Sequence, residues 1–538
     1  MKLKQAKQIF WNALLLTCAS LVMRTVGVAF GVAVSNRAGA EVMGLYSLMS
    51  GVYGFALTVA TSGIHFGVTR VIAETAGRGH KERVGAILRR ATVYALTFGF
   101  LAALLLSLGA DTIGKYWIKD VRTIPSLRLF AISLPLISLS SVFGGYFSAV
   151  RRTYKSAMVQ VLEQGAKVFF TMQLLALVSR GGAERLLCAL VIGGVVAEVL
   201  SFLCNLPLFL WDKNRNFPKS ARKSGIEEGR ALIKITLPMA LTTYLRSGLL
   251  TLQHILIPEG LRNSGTSHAL SLAAYGSIHG MALPIILYPA AIISSFSGLL
   301  IPIMAECRVK NSNRRINYMI SRVWSLSLLF SIGVAGILIC FSSEFGALLY
   351  PSTETGRYIR ILAPLIPIMY IDTATDAILK GLGEQVFSMN VNVADALISV
   401  ILVWLLIPRY GIQGYLITIY ISECFNTILS IHRLLCVTKT DTRPLKWVYK
   451  PLFCITLATL ASNALLRALP TPTLSAGVLT LHCGITAVLY LLLLFLSRSI
   501  DREDAAWIRT LFCRQEDLQK EPADLPPLQS GRKSLGDP

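Results

Sequence analysis

The sequence predicts an all-helical, polytopic membrane protein built from two related halves. Three observations carry that expectation. The chain has 538 residues, 54% of them hydrophobic and only 15% charged, less charge than a soluble domain normally carries. Its apolar residues gather into fourteen long runs, and each is near the roughly 20 residues a helix needs to cross a bilayer core of about 30 Å. The first half of the pattern then returns. A shift of 232 positions carries Pro135 onto Pro367, Ser156 onto Ser388, Val159 onto Val391, Val161 onto Val393 and Glu163 onto Asp395. The same shift carries Ala73-Glu74 onto Ala305-Glu306. The runs are too long and too evenly apolar for barrel strands, so helices are the only spanning structure left.

The first six runs fall at 8–34, 42–66, 91–110, 126–150, 156–179 and 186–211. Lys2, Lys4 and Lys7 precede the first, which reads as a retained helix because it is too long for a leader. Along it Thr17, Ser20, Arg24, Gly27 and Gly31 recur at three- or four-residue steps, which places them on one narrow polar face. The fifth run carries Gln160, Glu163, Gln164, Lys167 and Thr171 on one stripe. Glu163 and Lys167 are four apart and are candidates for an ion pair. The polar stretch 212–230 (KNRNFPKSARKSGIEEGR within it) is read as a basic linker between halves.

The second six runs lie at 231–258, 272–303, 318–341, 358–381, 387–407 and 412–435. Arg246 sits near the middle of the first of them, with Thr242 and Gln253 along the same face. Asp372 and Asp376 are four apart in the tenth run, so they share a face as like charges and are a candidate proton or cation site. Glu423 in the twelfth run stands where Glu198 stands in the sixth. Under the 232-residue shift, Ser140 and Gly144 occupy the places of Asp372 and Asp376, so the halves differ chemically. Prolines at 135, 238, 284, 289, 302, 364 and 367 interrupt several runs, freeing carbonyls and bending axes. Runs at 450–468 and 474–497 have no counterpart and form an appended pair. The expected units are therefore 1–211, the linker 212–230, 231–440, the pair 441–497 and a tail 498–538. The tail has a short amphipathic segment near 505–512, followed by disorder.

Six spans per half is an even number. Both halves then share one orientation, related by a pseudo-two-fold axis along the membrane normal. The formal net charge of +23 does not point to nucleic acid. With the N-terminus cytoplasmic, most of the 52 Lys and Arg fall on the cytoplasmic side, in clusters at 78–90, 151–155, 213–230, 308–315 and 433–450. That is the positive-inside bias, and it puts both termini in the cytoplasm of a cell-membrane protein. The ten Cys and seven His are dispersed. No paired Cys spacing, phosphate loop or dinucleotide motif stands out, so no metal or other cofactor is expected.

Arg24 and Arg246, one in each half and both near the bilayer midplane, are costly to bury and imply a role. A guanidinium suits a phosphate because its planar fork donates parallel hydrogen bonds. The structural alternative is that each pairs with an internal carboxylate such as Asp372, Asp376 or Glu423. Glu74, Glu306 and Arg70 sit at helix ends, where local pairing is expected.

Three segments carry a family resemblance: Met23–Leu48 (MRTVGVAF and AGAEVMGLYSL within it), Ser140–Gln164 (SSVFGGYFSAVRRTYKSAMVQVLEQ) and Ile255–Pro289 (ILIPEGLRNSGTSHALSLAAYGSIHGMALPIILYP). They resemble the stage V sporulation protein B family of polysaccharide flippases. That family lies within the multidrug/oligosaccharidyl-lipid/polysaccharide exporter superfamily, near the lipid II flippases. The resemblance implies fourteen helices, twelve of them in two parallel lobes. It also implies flipping of undecaprenyl-diphosphate-linked sugars for peptidoglycan, spore cortex or another polysaccharide. Arg24 matches the first-helix arginine of the lipid II flippases, and Arg246 a seventh-helix arginine of the sporulation branch. A second arginine those flippases carry is absent here, its place falling at about Phe30, which leaves room for another lipid-linked glycan.

The expected function is thus a non-enzymatic flippase, working as a monomer in the lipid bilayer. Its substrate-binding candidates are Arg24, Arg246, Lys167, Glu163 and Gln160. Asp372, Asp376 and Glu423 are candidates for coupling to H+ or Na+. A rival reading is a cation-coupled multidrug antiporter dominated by the aspartates. A third is a scaffold that recruits wall-synthesis enzymes through the basic loop and tail.

Overall fold

The computed structural model describes residues 2–77, 80–178, 182–217, 226–310, 312–350, 352–438, 445–467, 475–497 and 499. Among these there is no strand. The first half holds α1 (Lys2–Thr61), α2 (Ile64–Gly77), α3 (Val84–Thr112), α4 (Ile124–Ala149), α5 (Thr153–Leu177) and α6 (Ala183–Asn216). The second half begins with α7 (Ile226–Asn263), α8 (His268–Gly276), α9 (Leu283–Leu287) and α10 (Ala290–Val309). It continues with α11 (Asn313–Cys340), α12 (Ser342–Leu349), α13 (Thr353–Leu362), α14 (Ile366–Gly381), α15 (Gln385–Tyr410) and α16 (Ile412–Thr438). The chain's last helices are α17 (Lys450–Arg467) and α18 (Ala476–Leu496).

Among the described residues, each of the fourteen apolar runs is mostly helix. Ten stretches among the described residues are long and apolar enough to cross a membrane. The first of them, Ser20–Ala76, has 57 residues, about 85 Å of helix and enough for two crossings of a core of about 30 Å. Gly39 makes the division. Its φ of 81° and ψ of 167° lie where only glycine sits without strain, so the helical path breaks there between the first and second runs.

Helix contacts repeat between the halves. α5 lies along α6 and against α1, and correspondingly α15 lies along α16 and against α7. α4 packs on α2, α3 and α6, while α14 packs on α10, α11 and α16. This is the parallel two-fold repeat expected from six spans per half. α17 and α18 pack on each other and on α11, where Tyr490 donates to the Leu329 carbonyl at 2.8 Å.

The halves have diverged at their matching prolines. Pro135 lies inside a continuous α4. Pro367 opens α14 just after a 3-10 turn at Ala363–Leu365, so the equivalent span is broken.

Helices enter the polar stretch 212–230 from both sides. α6 continues to Asn216 and α7 begins at Ile226. The extension of α6 has a visible cause. Asp212, fully buried, takes hydrogen bonds from Arg152 Nη1 at 2.5 Å and Tyr146 OH at 3.0 Å, and a further contact from Lys155. The amphipathic segment near 505–512 lies outside the described residues.

Candidate functional site

The polar stripe of α5 faces α6. Glu163 accepts a 2.7 Å hydrogen bond from Ser201 Oγ and lies in hydrogen-bonding reach of Glu198. Lys167 sits within electrostatic range of Glu198, but forms no ion pair with Glu163. The contacts given for Glu163 are therefore across to α6, to Ser201 and Glu198. Tyr53 of α1 completes the group. Its hydroxyl meets Ser133 Oγ at 2.8 Å, its ring stacks on Phe130 with centroids 4.2 Å apart, and both glutamates are close enough to act on it. Gln164 Nε2 lies beside Gly27 of α1, 3.6 Å from where a Cβ would stand. The polar face of α1 thus borders this cluster. Gln160 is exposed at its edge.

The second half carries the matching pair. Asp395 of α15 accepts from Ser422 Oγ at 2.6 Å, and Ser422 in turn accepts from Ser399 at 3.0 Å. Glu423 of α16 lies in electrostatic range of Asp395 and Asp372. Glu163 with Glu198 and Asp395 with Glu423 are thus the same construction in each half. Asp372 lies in reach of Ser430, and its Oδ1 is buried without a hydrogen-bond partner. Asp376 behaves differently. It pairs with Lys380 Nζ at 2.5 Å and is met by Ser388. Helix spacing put both aspartates on one face, and Asp376 does lie in electrostatic range of Asp372, while Lys380 of the same helix and Ser388 of α15 also hold it.

Arg24 is half-buried and Arg246 exposed on their helices. Among the described residues neither has a carboxylate at salt-bridge distance. Arg24 reaches from the first half to the electrostatic neighbourhood of Tyr370 on α14. Its neighbour Thr25 meets the Tyr288 hydroxyl at 2.9 Å. Arg246 stands in range of Asp395 rather than of Asp372, Asp376 or Glu423. The helix-end charges pair locally, Arg70 with Glu74 at 2.8 Å and Lys310 with Glu306 at 2.7 Å.

Contacts between halves cluster at two levels. Near one end, Lys119 Nζ meets Glu259 at 2.6 Å, and His268 Nε2 lies 3.5 Å from Asp120. Asp120 also holds Arg122, which binds Glu41 at 2.8 Å. Burial works to raise the Asp120 pKa, but hydrogen bonds from Arg122 outweigh it and hold the carboxyl below its ordinary range. Here α1 and α8 touch backbone to backbone. A Cβ on Gly276 would stand 2.7 Å from the Gly44 nitrogen and close on the Ala40 carbonyl. At the other level, Tyr244 donates to Ser62 at 2.5 Å and Thr58 to Ser247 at 3.1 Å. The latch near Lys119 was not legible in the sequence, because it joins the loop at Lys119–Asp120 to Glu41 of α1 and Glu259 of α7, more than 75 positions away. Among the described residues no three His, Cys, Asp or Glu side chains gather at metal-binding spacing.

Comparison with known proteins agrees with this architecture. The family model described as "Polysaccharide biosynthesis protein" matches residues 9–308, and the MatE model matches residues 264–405. Stage V sporulation protein B of Bacillus subtilis (strain 168) is 24% identical over 430 residues, covering 79% of this chain and 83% of that protein. The solved structure "Lipid II flippase MurJ, inward closed conformation" superposes with a TM-score of 0.65 at 13% identity, covering 91% of this chain and 100% of that one. An inward-facing multidrug resistance MATE family transporter of the MOP superfamily gives 0.62 at 14% identity, covering 80% and 99%. With a family match over more than half of its length, on a fold shared with MOP-superfamily transporters, the chain belongs to the polysaccharide biosynthesis protein family.

Proposed function

We propose that this protein flips a polyprenyl-diphosphate-linked sugar from the cytoplasmic to the outer leaflet, for peptidoglycan, spore cortex or another polysaccharide. The observation that carries the reading is the pair Arg24 and Arg246, one from each half. Both are free of carboxylate salt bridges among the described residues. A guanidinium at membrane depth is expensive, and a diphosphate offers it two charge-assisted acceptors. The halves 1–211 and 231–440 rock about the site while the polyprenyl tail stays in lipid. Lys167 and Gln160, beside the Glu163–Glu198 pair, offer hydrogen bonds to the head. With both termini cytoplasmic and the cell interior negative, outward movement is electrically downhill by roughly 2.3 kcal/mol per charge per 100 mV.

The paired carboxylates favour a second element, coupling to H+ or Na+ through Asp372, Glu423 and their neighbour Asp395. If those groups dominate over the arginines, the cargo is a small cation, as expected of a drug antiporter. The test is reconstitution with a fluorescent lipid-linked sugar. Arg24→Ala and Arg246→Ala should each slow flipping by about 10- to 100-fold, the loss expected for a charged hydrogen bond of about 1.5–3 kcal/mol. Unchanged flipping in the double variant would sink the diphosphate assignment.

A further inference from the structure

Away from the arginines, α3, α4 and α6 enclose a groove of about 670 Å3, a size that suits a small amphipathic ligand. Its floor is aromatic: Phe143 stacks on Phe209 at 4.5 Å and on Phe202 at 6.0 Å. Its rim carries Arg89, Lys213 and Glu82. Lys213 Nζ rests 6.0 Å from the Phe209 ring centre.

The charges on this rim are unlike those beside it. Arg152 and Lys155 are both consumed by Asp212. Among the described residues, Arg89 and Lys213 have no carboxylate at salt-bridge distance. The rim lies at the end of the helices that the charge bias assigns to the cytoplasm. Val93 is exposed on α3, and Leu203 and Leu210 on α6, as side chains facing lipid would be. Two unpaired cations against one carboxylate leave a net single positive charge over an apolar slot.

We propose that this groove binds one anionic phospholipid from the adjacent leaflet. Its phosphodiester sits between Arg89 and Lys213, and an acyl chain covers the phenylalanine floor. A single phosphodiester with an uncharged head matches the net charge of the rim. A zwitterionic lipid brings no net charge to it. The site is separate from the translocation path and stands whether or not the cargo is a lipid diphosphate.

The test is native mass spectrometry of the full chain in detergent, titrated separately with phosphatidylglycerol, phosphatidylethanolamine, phosphatidylcholine and a polyprenyl phosphate. Phosphatidylglycerol should be retained over phosphatidylcholine. Arg89→Gln and Lys213→Gln should each weaken it by about five-fold, the usual contribution of one basic residue near a membrane surface. Glu82→Gln should strengthen it, a gain that misfolding cannot produce. Thr92→Trp, on the groove wall, should reduce retention of all lipids. Equal retention of the phospholipids, an unchanged preference in the Arg89→Gln/Lys213→Gln double variant, or preference for the polyprenyl phosphate would overturn the proposal.

Discussion

Charge reversal at Lys119 should open the protein at the end where that residue meets Glu259. The 2.6 Å pair joins the first half to the second, and both side chains are about one-third exposed (37% and 33%). Exposure of that degree limits the pair to about 0.2–1 kcal/mol. Lys119→Glu removes that attraction and substitutes a repulsion of similar size, so the closed arrangement loses about 0.4–2 kcal/mol. Such a change multiplies the open fraction by roughly 2- to 30-fold. Spin labels on the loops around residues 115 and 264 would report the distribution of distances across this end. A longer-distance population should grow in Lys119→Glu and shrink again when Glu259→Lys is added. Raising the salt should reduce both effects, since screening acts on half-exposed charges. An unchanged distance distribution in the single variant, or no rescue in the double, would refute the latch.

Three further outcomes follow from the same geometry. Gly276→Ala should shift the labels the same way, because its Cβ would press on the α1 backbone and overpacking costs about 1–3 kcal/mol; an unaltered distribution would show that the helices can part without cost. Asp212→Asn should lower thermal stability markedly, since it strands the largely buried Lys155 beside Arg152, and breaking a buried pair costs about 3–5 kcal/mol; a melting temperature within a degree of the parent would contradict this. Asp120, with its pKa held below the ordinary 3.8, contributes stability above its unfolded value and loses it only as pH falls through the lowered one. The labelled end should therefore stay closed from pH 7 to pH 5, and opening within that window would count against Asp120 as an anchor.

The sequence made the membrane architecture plain, because burial in lipid forces long apolar runs and leaves no other backbone solution. Among the described residues each run is mostly helical, and the repeat read from Pro135 and Pro367 is matched in the α5–α6 and α15–α16 packing. What that repeat hid was local. The same proline sits inside one helix and opens another, since only the second copy is preceded by a 3-10 turn. Single-helix spacing also fell short at the polar residues. It joined Glu163 to Lys167, whereas Ser201 and Glu198 on the next helix are its partners. It grouped Asp372 with Asp376 correctly, but did not show that Ser388 of α15 also reaches the second. Asp395 entered only as the repeat image of Glu163, and its place beside Arg246 could not be read, because the two residues are 149 positions apart. Loop charges such as Lys119 and Asp120 carry no periodic signal at all, so the latch becomes visible only when the halves are seen together.

The central claim is that the cargo is a lipid diphosphate. Protein reconstituted in vesicles, with a fluorescent polyprenyl-diphosphate sugar on one leaflet, tests it most directly through the fraction that becomes accessible on the other. The account predicts protein-dependent transfer that is lost in the Arg24→Ala/Arg246→Ala variant and that an unlabelled lipid diphosphate competes away. Transfer no faster than in empty vesicles, alongside uptake of a small organic cation by the same preparation, would contradict it.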